Sequence, residues 1–379
     1  MPSLTLRVLA DDLTGALDTA AAFGAGVPVW LGKPDEAAST PIEVLATATR
    51  DVAPEALDAA LQPVLPWFGA PGVRPFKKVD SLLRGNTFGE IDRCARALGQ
   101  VRILLAPAYP GQGRETRDGR LWVRPPGADR VEPTAVSLHE EMRARGWAVS
   151  PTLSDSGIWL PDVVDDAALR RVARAVLQRQ DERPDERWLW VGSAGLAQAL
   201  VAARDVPVAI GAASPAVVTF DGPQVLVSAS HHAVSRRQWD RLARLRPEWP
   251  LARAGEPDAR DALIRSVRAG DQPARCAGFD LAAREVLSPD EARRRLQDHA
   301  AALVGGLPRP GALVVVGGDT LLALCQASGA QAMRSMPAPS QPGWGQARLI
   351  GGIWDGVPCK TRSGAFGGDD DLIEVLAAG

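Results

Sequence analysis

The chain has 379 residues, 46% hydrophobic and 23% charged, with 43 Lys and Arg against 45 Asp and Glu for a net charge of -2. That length exceeds one ordinary core and predicts two domains of a soluble globular protein. Balanced charge gives no electrostatic purchase on nucleic acid or an acidic membrane, and the four scattered cysteines and four histidines suit neither a disulfide framework nor a zinc site.

The stretch Leu4–Leu9 alternates and then runs apolar, as a short buried strand does. It empties into Asp11 and Asp12, then Thr14 and Gly15, then an Ala- and Leu-rich helix that ends at Gly24 or Gly26. Ligands of an open α/β sheet bind outside the carboxyl ends of its strands. Adjacent carboxylates in a dry site need a cation, a donor network or a substrate proton. The alternative is that one Asp caps the helix and the other is solvated. Val27–Leu31 and Ile42–Thr47 read as the next strands and Pro54–Leu65 as a helix, an alternation that predicts a parallel sheet with crossover helices.

Phe76–Asn86 packs Lys77, Lys78, Asp80, Ser81, Arg84 and Asn86 around little apolar material, with Gly85 free to take positive φ. Such a set suits an anionic, hydroxylated small molecule, Arg84 forking onto a carboxylate; a plain polar loop is the alternative. A helix over Thr87–Leu98 and a strand over Val101–Leu105 follow. The strand runs into an irregular Pro- and Gly-bearing loop with a hairpin signal at Asp118-Gly119. Gly127–Pro151 is poorly patterned apart from an amphipathic piece near Leu138–Arg145, and Asp165–Gln178 is a strong helix. Trp188–Gly192 is a strand that leads through Ser193 and Gly195 into a helix, where bare backbone N–H groups favour anions and where close packing also wants small residues. The chain thins into Pro and Gly between Arg204 and Pro223, the expected domain boundary.

The second half restarts with a strand over Val225–Ser230 and a helix from about Ser235, His231-His232 reading as loop polarity. A helix over Asp258–Arg268 ends at Gly270, and Ser288-Pro289-Asp290-Glu291 is a well-formed helix start. Leu313–Val316 delivers Gly317, Gly318, Asp319 and Thr320 to a helix N-terminus, which can cradle phosphates while Asp319 or Thr320 faces a metal. It is no Walker A, for the spacing and the lysine are missing, and a tight strand–helix turn is the alternative. The tail adds an Asp355-Gly356 hairpin and a second glycine-rich turn, Lys360–Asp369.

These islands, in this order, resemble the four-carbon acid sugar kinases, the threonate, erythronate and 3-oxo-tetronate kinases once catalogued as a domain of unknown function. Ala10–Ala16 is similar to that family's opening motif, and Lys78–Asn86 to its K-x-D-S-T-L-R-G-N stretch. Pro107–Pro110 with Gly113-Arg114, Gly192–Leu196, Gly317–Thr320 and Ser363–Gly367 also match. Leu82 stands at a usual Thr, Ala229 at the Gly of S-G-S, Ser235 at a usual Thr and Arg362 at a usual Lys; the chain is also shorter than a typical member around Gly127–Pro151.

The resemblance implies an α/β fold of two domains, each a mainly parallel sheet flanked by helices, with the active site in the interdomain cleft. Residues 1–222 would bind the acid sugar and 223–379 ATP with Mg²⁺. Asp12 would act on the acceptor hydroxyl as base or orienter, with Asp11 holding it or the metal. Lys78, Asp80, Ser81, Arg84, Gly85, Arg114, Gly192 and Ser193 would hold the sugar acid. Ser228, Ser230, Gly317, Gly318, Asp319, Thr320, Ser363, Gly364 and Gly367 would hold the nucleotide, Asp319 also facing the metal. Catalysis of phosphoryl transfer is mostly positioning and charge neutralisation, which such a division supplies. Two rivals are a metal-dependent phosphohydrolase built on Asp11 and Asp12, and a non-catalytic sugar-acid sensor. The expected partners are a small sugar acid and ATP, with a homodimer allowed. With no apolar run long enough to cross a bilayer, the location is cytoplasmic by default.

Overall fold

The computed structural model describes residues 5–34, 40–125, 128–153, 157–203, 223–253, 257–269, 276–283, 285–337 and 344–377. The chain divides into two compact units, Met1–Ile210 and Gly211–Gly379. Apart from Pro223, the stretch expected to hold the boundary lies outside the described residues, as does Gly270.

In the first unit, strands β1 (Thr5–Ala10), β2 (Pro28–Trp30), β3 (Ile42–Ala46), β4 (Val73–Lys78) and β5 (Arg102–Ala106) precede a small antiparallel sheet of β6 (Arg114–Arg117), β7 (Arg120–Val123) and β8 (Glu132–Ser137). Strands β9 (Val149–Ser150), β10 (Ile158–Trp159) and β11 (Trp188–Gly192) complete the main sheet, in the order β2-β3-β1-β4-β11-β5-β10-β9. All its pairings are parallel. Strands covered on both faces read as continuous apolar runs, and β3 and β11 are buried at every position. Leu9, Leu45, Phe68, Ile91, Ile103 and Leu189 lie in one core cluster of this unit.

Two expectations change here. The helix expected over Pro54–Leu65 is a 3₁₀ turn (Pro54–Ala56) and two short helices, Leu57–Leu61 and Leu65–Phe68. Pro63 has no N–H to give to a continuous helix, and its ring clashes with the preceding turn. The stretch Phe76–Asn86, for which a plain polar loop was the alternative, begins instead as strand, Phe76–Lys78 forming the end of β4 paired with β1 and β11. Lys77 lies inside at 0% exposure because its ammonium pairs with Glu90 at 2.6 Å and donates to the carbonyls of Leu9 and Lys78. The hairpin at Asp118-Gly119 is present, both residues at positive φ as its tight turn requires.

In the second unit, β12 (Gln224–Ser228), β13 (Leu251–Ala252), β14 (Cys276–Asp280), β15 (Ala312–Val316), β16 (Ala332–Ser335), β17 (Gly345–Ile350) and β18 (Pro358–Arg362) order as β13-β14-β12-β15-β18-β17-β16. Pairing is parallel as far as β18 and antiparallel for β17 and β16. The helix Pro289–Gly306 starts on the expected capping box of Ser288 and Glu291. All four cysteines are buried free thiols. Among the described residues no helix is long and apolar enough to cross a membrane.

Candidate active site

In the first unit the polar residues gather where β1, β3 and β4 end. The order β3-β1-β4 makes β1 the strand at which the connections diverge to both sides, the usual place for a ligand crevice. Asp11 and Asp12 leave β1 there. Asp12 has extended backbone and caps the helix Leu13–Phe23, its Oδ1 accepting from Gly15 N at 3.1 Å. The capping alternative therefore holds for Asp12, which does more besides.

Arg50, which the sequence reading missed, ties the acids together. Its Nε donates to Asp11 Oδ2 and its Nη2 to Asp12 Oδ1, each at 2.7 Å, and Nη2 lies 3.6 Å from Asp80 Oδ1. No motif marks it: it stands in a loop after β3 that reaches Asp11 only through parallel pairing. Asn86 holds that loop, Nδ2 donating to the carbonyls of Thr49 at 2.9 Å and Val52 at 2.6 Å. Lys78 Nζ sits 3.9 Å from both Asp11 Oδ1 and Asp12 Oδ1. Burial pushes the Asp11 carboxyl up, but Lys78, Arg50 and Lys77 outweigh it and hold Asp11 below the usual carboxylate range. Asp11 Oδ1 and Thr14 Oγ1 are buried with no hydrogen-bond partner, the kind of orphan a ligand satisfies.

The fork of Arg84 is closed on the chain itself. Nε and Nη2 donate to the two oxygens of Asp80 at 2.8 Å, and Asp80 Oδ2 also accepts from Leu82 N and Arg84 N. Burial raises the Asp80 carboxyl, while Arg84, Arg50 and Lys78 more than offset it and hold it far below the ordinary range. Asp80 thus folds the loop that carries half-buried Ser81, and Gly85 takes positive φ against the Arg50 carbonyl. Arg114 is near enough for Asp80 and Arg84 to act on its charge; burial pulls its guanidinium below the usual value.

Gly192 ends β11 and Ser193 follows it in the strand–helix turn. Ser193 is 1% exposed, its Oγ donating to Ala108 O at 3.0 Å and accepting from Gly195 N at 3.1 Å. A Cβ at Gly192 would meet the backbone oxygen of Ala106 and the side chain of Leu196. Both residues build the strand–helix turn, as the close-packing alternative expects.

In the second unit the candidates also collect at strand ends. Gly317, at φ 109°, precedes the helix Gly318–Ser328, with Asp319 exposed and Thr320 buried in its first turn. Gly317 N donates to Arg362 O at 2.8 Å, which fastens β15 to β18. Ser235 Oγ donates to Gly364 O at 2.7 Å, and a Cβ on Gly364 would overlap the Ser230 hydroxyl. Ser230, Ser235 and Gly364 therefore meet, whereas Ser228 is buried, its Oγ accepting from Ser230 N at 3.3 Å. Ser363 is half-buried in the same turn, and Gly367 lies against Arg362 and Asp371. Arg362 is 1% exposed, paired with Asp371, bonded to Gln238 Oε1 at 2.7 Å and stacked 4.6 Å over Trp344. It holds the turn from beneath. Among the described residues no group of three or more His, Cys, Asp or Glu could hold a metal ion.

Comparison with known proteins follows the same division. Residues 6–145 match a family model described as a sugar-binding N-terminal domain, and 225–372 one described as a nucleotide-binding C-terminal domain. A D-threonate kinase of Bordetella bronchiseptica is 32% identical, covering 98% of this chain and 97% of that protein. A D-threonate kinase of Salmonella typhimurium is 27% identical over 98% of both. Among solved structures, a Salmonella typhimurium LT2 protein named as a tRNA synthase superposes with a TM-score of 0.71 at 20% identity, covering 98% of each chain. A Haemophilus influenzae protein of the DUF1537 family superposes at 0.67 and 19% identity, covering 98% of this chain and 99% of that one. At those identities the two structures speak for the fold alone.

Proposed function

Because this chain belongs to the four-carbon acid sugar kinase family and is a kinase, we propose that it moves the γ-phosphoryl group of ATP onto a hydroxyl of a tetronate, D-threonate first. Erythronate and 3-oxo-tetronate are the neighbouring substrates to compare. Kinase identity sets aside the phosphohydrolase and sensor readings. The observation that supports the substrate class is the cluster around Asp11, whose orphaned Oδ1 faces Lys78 beside Asp12, Arg50 and Asp80. Ionised carboxylates accept from vicinal hydroxyls, while Lys78 and Arg114 bring positive charge for one substrate carboxylate. The terminal hydroxyl is the proposed acceptor, since it is primary and least hindered.

On the second unit, the turns at Gly317-Gly318 and Ser230-Gly364 would hold the phosphates, the helix N-terminus from Gly318 onward supplying backbone N–H groups, with Thr320 and Ser363 beside them. Mg²⁺ usually keeps several waters and binds through one or two carboxylates plus substrate phosphates, so the carboxylate of Asp319 fits it. When bound, the ion would neutralise phosphate charge. An ADP-release assay over the four-carbon sugar acids tests the proposal. ADP should form only when ATP, Mg²⁺ and a tetronate are all present, and ³¹P NMR should place the phosphate on the terminal carbon. Folded protein that releases no ADP with any tetronate would overturn the substrate assignment.

A further inference from the structure

The sequence reading gives Asp12 the acceptor hydroxyl as base or orienter, and in the folded chain that carboxylate also takes donors from the protein itself. Its Oδ1 accepts from both Arg50 Nη2 and Gly15 N, and Asp11 is held ionised by Arg50 and Lys78. Asp11, held below the usual carboxylate range, is a weak proton acceptor, and Asp12 Oδ1 already takes two donors from the chain. A third acid lies on the same helix. Asp18 stands one turn after Thr14 and Gly15, and a Cβ placed on Gly15 would fall 2.2 Å from Lys78 Nζ. The helix face that carries Asp18 therefore looks towards Lys78. Among the described residues no group donates a hydrogen bond to Asp18 or pairs with it in a salt bridge, while Thr14 Oγ1, four residues earlier, is buried without a partner.

We propose that Asp18 is the general base, taking the proton of the acceptor hydroxyl that Asp11, Thr14 and Lys78 orient; this rests on the tetronate kinase reading above. The hydroxyl O–H bond breaks with its proton passing to Asp18. The oxygen forms the new bond to the γ-phosphorus, the bond from that phosphorus to the β-bridging oxygen breaks, and ADP leaves. Asp18 then returns the proton to solvent.

The electrostatic surroundings suit the role. Burial pushes the Asp18 carboxyl up to about 6, against the pull of Lys78 and with a further push from Asp12. Tyr109, after β5, is near enough to feel its charge in turn. Of the other elements packed on this helix, Ala194–Ala203 and β2 carry no titratable side chain, and Glu43 of β3 is paired with Arg7 at 3.4 Å. A base near pH 6 accepts a proton readily and is still ionised at neutral pH.

The test measures kcat and KM for D-threonate with ATP and Mg²⁺ from pH 5 to 9, for wild type, Asp18→Asn and Asp18→Glu. Wild-type kcat should fall below about pH 6, in line with the Asp18 carboxyl. Asp18→Asn should lose roughly 10²–10⁴-fold in kcat, the usual share of general base catalysis, with no acidic limb and little change in KM. Asp18→Glu should recover part of the rate with a displaced limb, and it carries the test if the Asn variant does not fold. A limb that persists in Asp18→Asn, a rise in KM with kcat unchanged, or an Asp18→Glu profile superposable on wild type would each overturn the role. If wild type releases no ADP with any tetronate, the substrate reading fails first and the role falls with it.

Discussion

Burial acts on two carboxylates of one strand–helix unit with opposite results. Asp11 loses water but gains Lys78, Arg50 and Lys77, and stays ionised; Asp18 loses water with too little compensation, and its carboxyl rises to about 6. A raised carboxyl favours the protonated form in the folded chain. Its relative stability is thus fully present below the unfolded value near 4 and is lost as pH rises through 6. Asp18→Asn should then stabilise the protein by roughly 1–3 kcal/mol at pH 7.5 and hardly at all at pH 4. Urea unfolding at the two pH values checks this, and an equal gain at both would refute it. Asp80 and Arg84 make a second contrast. Arg84 is 51% exposed on its side chain, so Arg84→Lys should cost at most about 1 kcal/mol of stability. Asp80→Ala unpairs two backbone N–H groups and two guanidinium groups at a buried position, and should cost about 2–4 kcal/mol. Equal losses for the two variants would mean that Asp80 does not organise its loop.

At the scale of elements, two glycines separate binding from folding. Gly15 has ordinary helical backbone, and a methyl there meets only the ends of two side chains, Lys78 Nζ at 2.2 Å and Asp12 Oδ1 at 2.5 Å. Gly15→Ala should keep the fold, helped by a helix preference of about 1 kcal/mol, yet displace Lys78 and lower kcat/KM at least tenfold. Gly85 has φ 69° and its Cβ would lie 2.4 Å from the Arg50 carbonyl, a backbone atom that cannot swing aside. Gly85→Ala should destabilise the chain by about 1–3 kcal/mol as well as reducing activity. Thermal melts beside ADP-release rates distinguish the cases; a Gly15→Ala protein with full activity would show that Lys78 does not need its observed place.

For the whole molecule, the chain divides into two units and the proposal gives each its own ligand. A side chain at Gly318 would stand in the first turn of the helix that is to face the phosphates. Gly318→Val should weaken ATP binding by tenfold or more, about 1.4 kcal/mol, and leave D-threonate binding unchanged. Calorimetry with each ligand decides; loss of both affinities would show that the ligands do not divide between the units in this way.

Much of this was legible in residue order. Apolar runs ending in small or acidic residues marked β1, β5, β11, β12 and β15, because a strand covered on both faces must be apolar throughout. Capping at Ser288 and the hairpin at Asp118-Gly119 were legible for local reasons, since their chemistry lies within a few residues. What the tertiary structure alone decided depends on partners distant in sequence. Lys77 enters a strand because Glu90 comes from the following helix to neutralise it, and no period in the sequence announces that. Arg50 becomes the clamp of Asp11 and Asp12 only when β3 pairs beside β1. Asp18, plain in the opening stretch, differs from its two neighbouring acids by what the fold sets around it: among the described residues Arg50 hydrogen-bonds to Asp11 and Asp12 but not to Asp18, so packing divides like carboxylates that lie close in sequence.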